Sequence, residues 1–222
     1  MGEGHRQRLK KRFYKEGLGH FAPHNVLELL LFYCIPRKDT NNIAHSLLKR
    51  FGSFSSVVEA PLEELMKVEG VGENTAVFLK MIPQICSYYL GDKTASKKQI
   101  TSTAEAGEYL WPKFLGKTKE NVYLICMDTN GKVLFSDFIM EGSVTMAGIT
   151  ARSVAEITLR VGAVQVILAH NHPRGFALPS PQDIYVTRTL HKSLEALGIL
   201  LADHIIVSNE DFVSMAESGY LE

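Results

Sequence analysis

No stretch of this chain stays apolar long enough to span a bilayer. The longest such run, Leu29–Ile35, falls far short of the roughly 20 residues a spanning helix needs, so no membrane partner is expected. The start is charged throughout rather than charged and then apolar, so no signal peptide is read there. Charge of one sign is lacking too: 24 Lys and Arg balance 24 Asp and Glu. The whole chain therefore implies no strongly charged partner. Cysteine is scarce. Cys34, Cys86 and Cys126 are an odd, widely spaced set in apolar stretches, which argues against a disulfide framework and for buried free thiols in a reducing cytoplasm. No internal repeat or low-complexity tract is present. What remains is a chain of 222 residues, 45% hydrophobic, enough for one large globular domain or two small ones.

Residues 1–16 are crowded with Arg6, Arg8, Lys10, Lys11, Arg12 and Lys15. They read as a basic arm or short helix, either a solvated end or a phosphate contact. Residues 23–90 read as all helical. Val26, Leu27, Leu29, Leu30 and Phe32 mark a helix that Pro36 ends. Ile43, Ala44, Leu47, Leu48 and Phe51 mark another, closed by Gly52, and Pro61 starts a third. Gly70-Val71-Gly72 then makes a tight turn before a helix beginning near Asn74, whose free N–H groups can hold a phosphate oxygen. This stretch resembles a helix-hairpin-helix motif, which binds the DNA backbone without regard to sequence. The segment 30–52 resembles a degenerate second copy. Glu73 stands where that motif often has lysine, and a purely structural helical domain is the competing reading. The N-terminal domain is expected over residues 1–90, with possible DNA contact through Gly70-Val71-Gly72 and the basic N-terminus. Residues 91–100 are small and polar and read as a linker.

Residues 101–222 change character. Helices are expected over 104–115, 153–161 and 183–197. Strands are expected over 121–128, 133–140, 164–169, 200–207 and 212–215. Asn130-Gly131 marks the hairpin between the first two strands. Alternation of this kind specifies an α/β domain, giving an α+β chain overall.

The chemistry gathers at the end of the central strand. His170 and His172 follow the run Val164–Ala169 and, one residue apart on an extended chain, face the same side. After a turn rich in Gly and Pro comes Ser180-Pro181-Gln182-Asp183. Pro181 suits a first helical position with Ser180 as its N-cap, so Asp183 falls in the first turn. Two imidazoles and one carboxylate, with room for a water, make the usual ligand set of a catalytic zinc, one per chain. Such a site lowers the pKa of the water to about 7. A base is then needed to carry a proton to a leaving amine, and a donor to steady the oxyanion. Ser180 is placed for the donor role.

This spacing of His170, His172, Ser180 and Asp183 resembles the JAMM (MPN) metallopeptidase signature. In that superfamily the base is a glutamate at the start of the first long strand. Glu120, directly before Asn121, holds that place; Glu141, at a strand end, is the weaker candidate. His170-Asn171-His172-Pro173-x-Gly175, Pro179-Ser180-x-x-Asp183, Leu200–Val207 and Phe212-Val213-Ser214 are together similar to the RadC family of bacterial proteins, across nearly the full chain. The resemblance implies a helical region ahead of a three-layer, cytidine-deaminase-like JAMM domain with a mixed sheet. It implies a cytoplasmic zinc peptidase or isopeptidase acting on a protein or peptide. The alternative is a DNA-associated protein of the RadC type whose zinc site is silent. Oligomeric state is left open. Two positions depart from the family: Arg174 replaces the usual Ser, and Thr150-Ala151-Arg152-Ser153 replaces His-Pro-Arg-Glu. Elsewhere, His204 reads as a histidine near the site. Asp203 reads as orienting a ligand imidazole or as part of an exposed pair, His191 as solvent-facing, and Tyr88 and Tyr89 as domain packing.

Overall fold

A computed structural model of the chain describes residues 3–94, 99–142, 148–173, 175–209 and 211–221. Met1–Ile85 and Cys86–Glu222 form two compact units. In the first, helices α1 (Glu3–Glu16), α2 (Pro23–Cys34), α3 (Asn41–Phe51), α4 (Phe54–Glu59) and α5 (Leu62–Met66) precede α6 (Glu73–Thr94). Their boundaries follow local chemistry. Pro23 opens α2, where a missing N–H costs nothing. Gly52, at φ +92°, closes α3, and the Ser53 hydroxyl accepts from Ser56 N at 3.1 Å to cap α4. Leu27, Leu31, Leu47, Leu65 and Leu79 are fully buried together. The turn after α5 needs its glycine twice over. Gly70 has φ +88°, and a Cβ there would lie 2.7 Å from Ile43 Cδ1. Part of the basic N-terminus is structural: Arg6 donates to the carbonyls of Ile35 and Lys38, each at 2.6 Å, and Arg12 to that of His20 at 2.7 Å.

The expected linker is shorter at its start, because α6 continues through Gly91–Thr94; residues 95–98 lie outside the described set. The surfaces of α2 and α6 also overturn two expectations. Cys86 is exposed and Cys34 half-buried, leaving Cys126 as the buried thiol. Tyr88 and Tyr89 are 81% and 59% exposed, so they project from the helix rather than pack. An apolar neighbourhood in sequence did not identify which face of a helix is covered.

The second unit is built on a five-stranded mixed sheet in the order β2-β1-β3-β4-β5. The strands are β1 (Asn121–Met127), β2 (Val133–Glu141), β3 (Gln165–Asn171), β4 (Leu200–Val207) and β5 (Phe212–Ser214). Only β3 and β4 are parallel. They are joined through helix α9 (Pro181–Glu195), the crossover a parallel pair requires. Alternation along β1 and β3 sends side chains to opposite faces. Val122, Leu124, Cys126, Val166 and Leu168 pack under α8 (Ala151–Arg160) and α9. Tyr123, Ile125, Met127, Ile167 and Ala169 pack under α7 (Thr103–Phe114). The result is three layers, as expected for α+β with a mixed sheet. Gly107 on α7 admits the Phe212 ring, which a Cβ would meet at 2.2 Å. His191 on α9 is half-buried, not solvent-facing, and its Nδ1 is buried without a hydrogen-bond partner among the described residues.

Candidate metal centre

The sheet register assembles the site. β1 and β3 run antiparallel with Val122 opposite His170. Two residues on, the same register brings Glu120 level with His172. His172 lies just past β3, but its N–H donates to Val207 O at 2.8 Å, which holds it in line with the sheet. His170 and His172 share the face covered by α9, and the first turn of that helix delivers Asp183. Ser180 is the N-cap as expected. Its hydroxyl accepts from Asp183 N at 3.1 Å and donates to Asp183 Oδ2 at 2.6 Å, while Ser180 N donates to the same oxygen at 2.8 Å. This capping box fixes the carboxylate of Asp183 as it starts the helix.

His170, His172 and Asp183 come together with ligand atoms all within 4.8 Å of one another. Nε2 of His170 and Nε2 of His172 are 3.0 Å apart. Asp183 oxygens lie 3.4 Å from the former and 3.6 Å from the latter. Bonds of about 2.0–2.1 Å in a tetrahedral site put ligand atoms about 3.3 Å apart, so the spacing fits a metal ion. The outer nitrogen of His172 also fits: Nδ1 donates to Phe176 O at 3.0 Å. A carbonyl can only accept, so the lone pair of this ring is at Nε2, toward the triad. Burial alone would raise the Asp183 carboxyl, but the adjacent imidazoles of His170 and His172 and the bonds from Ser180 hold it well below the ordinary carboxylate range. The Asp183 carboxylate, 3.6 Å away, raises His172 against the opposing effect of burial, and the nearby charge of Glu120 adds to this. His204, fully buried, is held well below its usual value by desolvation and by its neighbour His170.

Glu120 is half-buried and fixed through its backbone. Asn171, between the two histidines, accepts from Asn121 N at 2.7 Å and donates to Lys119 O at 3.1 Å, bracketing Glu120 on both sides. Gly142 N donates to Glu120 O at 2.8 Å. Glu141 is instead tied to Lys119 at 2.6 Å in an exposed pair, away from the triad. His204 lies 2.8 Å from His170 Nδ1. Asp203 does neither of the things expected of it. It points to the other face, buried, and accepts from Ser214 Oγ, Ala216 N and His204 N. Sequence reasoning missed Asn171 and Thr187, whose partners are 50 and 17 residues away. At α8, Thr150 and Ser153 form a capping box, so Ser153 does the capping work that a glutamate at that position performs elsewhere. Arg174 lies outside the described residues.

A helix-covered mixed sheet presenting two histidines and an aspartate at one strand end defines this unit as a JAB-type domain, and residues 100–220 match the family model described as RadC-like JAB domain. A UPF0758 protein of Fusobacterium nucleatum is 33% identical over 226 residues, covering 99% of this chain and 97% of the relative. A UPF0758 protein of Ruegeria pomeroyi is 33% identical over 218 residues, covering 98% and 97%. The chain belongs to the RadC-like JAB family. No helix among the described residues is long and apolar enough to cross a membrane.

Proposed function

We propose that this protein is a zinc-dependent hydrolase of JAMM type that cleaves a peptide or isopeptide bond in the cytoplasm. The observation that carries the reading is the convergence of His170 Nε2, His172 Nε2 and an Asp183 oxygen at metal-ligand spacing, with Glu120 beside them. These three residues would hold the ion. When bound, zinc supplies Lewis acidity and lowers the pKa of a water to about 7. Glu120 takes the proton of the attacking water on a carboxylate oxygen and returns it to the leaving nitrogen. Ser180 donates to the substrate carbonyl oxygen as it gains charge. This requires only that its hydrogen swing off Asp183 Oδ2, since the bond from Asp183 N uses Ser180 as acceptor. Phe176, whose carbonyl orients His172, has its ring 81% exposed, and Leu178 and Tyr185 are 64% and 62% exposed. Exposed apolar side chains so near His172 and Asp183 in the chain suit a polypeptide substrate.

Metal analysis combined with a peptide and isopeptide profiling screen tests the reading. Wild type is expected to hold about one zinc per chain, and His172→Ala to lose it. Glu120→Gln is expected to keep the metal but lose about 10²–10⁴-fold in turnover. Turnover unchanged in Glu120→Gln sinks the enzymatic assignment. The second reading, a DNA-associated protein, draws on the Gly70 turn ahead of α6. Glu73 in the first turn of that helix and the internal use of Arg6 and Arg12 weigh against it. DNA binding by residues 1–90 must weaken steeply with salt, and its absence removes that role.

A further inference from the structure

Thr187, one turn beyond Asp183 on α9, is fully buried. Its hydroxyl meets three neighbours: Asp183 O at 2.6 Å, His204 Nδ1 at 2.6 Å and Met215 Sδ at 3.6 Å. A carbonyl and a thioether carry no proton; the single hydroxyl hydrogen is taken to lie on the Asp183 carbonyl, the nearer of the two and the usual back-bond of a helical threonine. The contact with His204 then holds a proton only if His204 Nδ1 supplies it. A neutral imidazole has one N–H, so His204 Nε2 is bare. It lies 2.8 Å from His170 Nδ1, which must therefore donate. His170 Nε2 is left bare, 3.0 Å from the bare Nε2 of His172 and 3.4 Å from an Asp183 oxygen, a meeting of lone pairs that a cation held between them would relieve.

We infer that Thr187 and His204 form a proton-ordered relay that fixes His170 with its hydrogen on Nδ1, so that its Nε2 lone pair faces the triad. The inference rests on the metal reading of that triad. Thr187 and His204 are positioning residues, acting only through His170. Run in reverse, the relay would put a hydrogen on His170 Nε2, where it blocks a ligand. It would also leave the Asp183 carbonyl facing a lone pair at 2.6 Å. The relay and the Phe176 carbonyl do the same work for two rings: each satisfies Nδ1 and presents Nε2.

Two measurements test this. The first is long-range ¹H–¹⁵N correlation spectroscopy of metal-free protein labelled at histidine, at alkaline pH where the rings are neutral. His170 and His204 should both be protonated on Nδ1 in wild type and in Thr187→Ser. In Thr187→Val, which keeps the shape but removes the hydroxyl, they should become tautomer mixtures. The second is zinc affinity by chelator competition. Thr187→Val should bind about 10–100-fold more weakly, with Thr187→Ser restored close to wild type. A wild-type His170 protonated on Nε2 overturns the relay, as does a folded Thr187→Val that binds zinc as tightly as wild type. If Thr187→Val does not fold, the wild-type spectrum still decides the tautomer. If wild type shows the Nδ1 form yet binds no zinc, the metal reading fails while the proton order stands.

Discussion

Replacing Asn171 with alanine separates the two kinds of work done at the end of β3. The side chain is buried and makes one bond to Asn121 N and one to Lys119 O. Each is worth about 0.5–1.5 kcal/mol net, and an amide left buried and unpaired costs about 1–3 kcal/mol. Asn121 is itself buried, so the bond from its amide dominates. A loss of about 2–3 kcal/mol follows, or roughly 6–10 °C in the unfolding midpoint of a domain this size. The chain's single tryptophan, Trp111, sits on α7 within the same unit, so its fluorescence in a urea titration reports that unit alone. The Asn121 amide should exchange with solvent faster than in wild type. Glu120, freed on both sides, should also raise His172 less, so the titration of that ring should move down. Asn171→Asp keeps an acceptor for Asn121 N but turns an oxygen toward Lys119 O, so it should not restore the clamp. If Asn171→Ala unfolds at the wild-type urea concentration and leaves Asn121 exchange unchanged, the clamp contributes nothing and the positioning of Glu120 must come from elsewhere.

If the triad holds zinc as proposed, its affinity should begin to fall with acid above pH ~6.5, the ordinary histidine value, because His172 is raised by Asp183 and a proton competes for Nε2. In metal-free protein the sign reverses. The His172–Asp183 pair contributes stability that is fully present below the unfolded histidine pKa of ~6.5 and is lost as pH rises through the raised folded value; urea titrations on either side of that window check it. Gly70→Ala should destabilise the first unit by about 1–3 kcal/mol, from strain at positive φ and from the methyl driven against Ile43. Unfolding followed by Trp111 should be unaffected by that change.

The pieces of the site that lie close in sequence were legible before any fold was known. His170, His172, Ser180 and Asp183 span one strand end and one helix start, and strand alternation with capping chemistry suffices to bring them together. Glu120 needed the family resemblance to select it over Glu141. The register, with Val122 opposite His170, supplies the physical reason for preferring it. Asn171 and Thr187 were beyond reach because each acts through a partner set by strand pairing or by packing of α9 on the sheet; His204 was legible as a histidine near the site, but its contact with His170 was not. The same limit governs the misjudged surfaces. His191, Cys86 and Tyr88 all sit on helices whose covered face is decided by neighbours far away in the chain. Gly70 was legible as a turn residue, but its closeness to Ile43 was not.

Asp183 has a double occupation: it closes the capping box that begins α9 and belongs to the triad. The position is therefore pleiotropic. Asparagine there would preserve the helix start through Ser180 but remove the anionic ligand. Glutamate would keep the charge but displace it by a methylene from both jobs. Neither task can drift without disturbing the other, so an abandoned metal site in this fold would leave a footprint: a helix start still well capped, with the carboxylate gone.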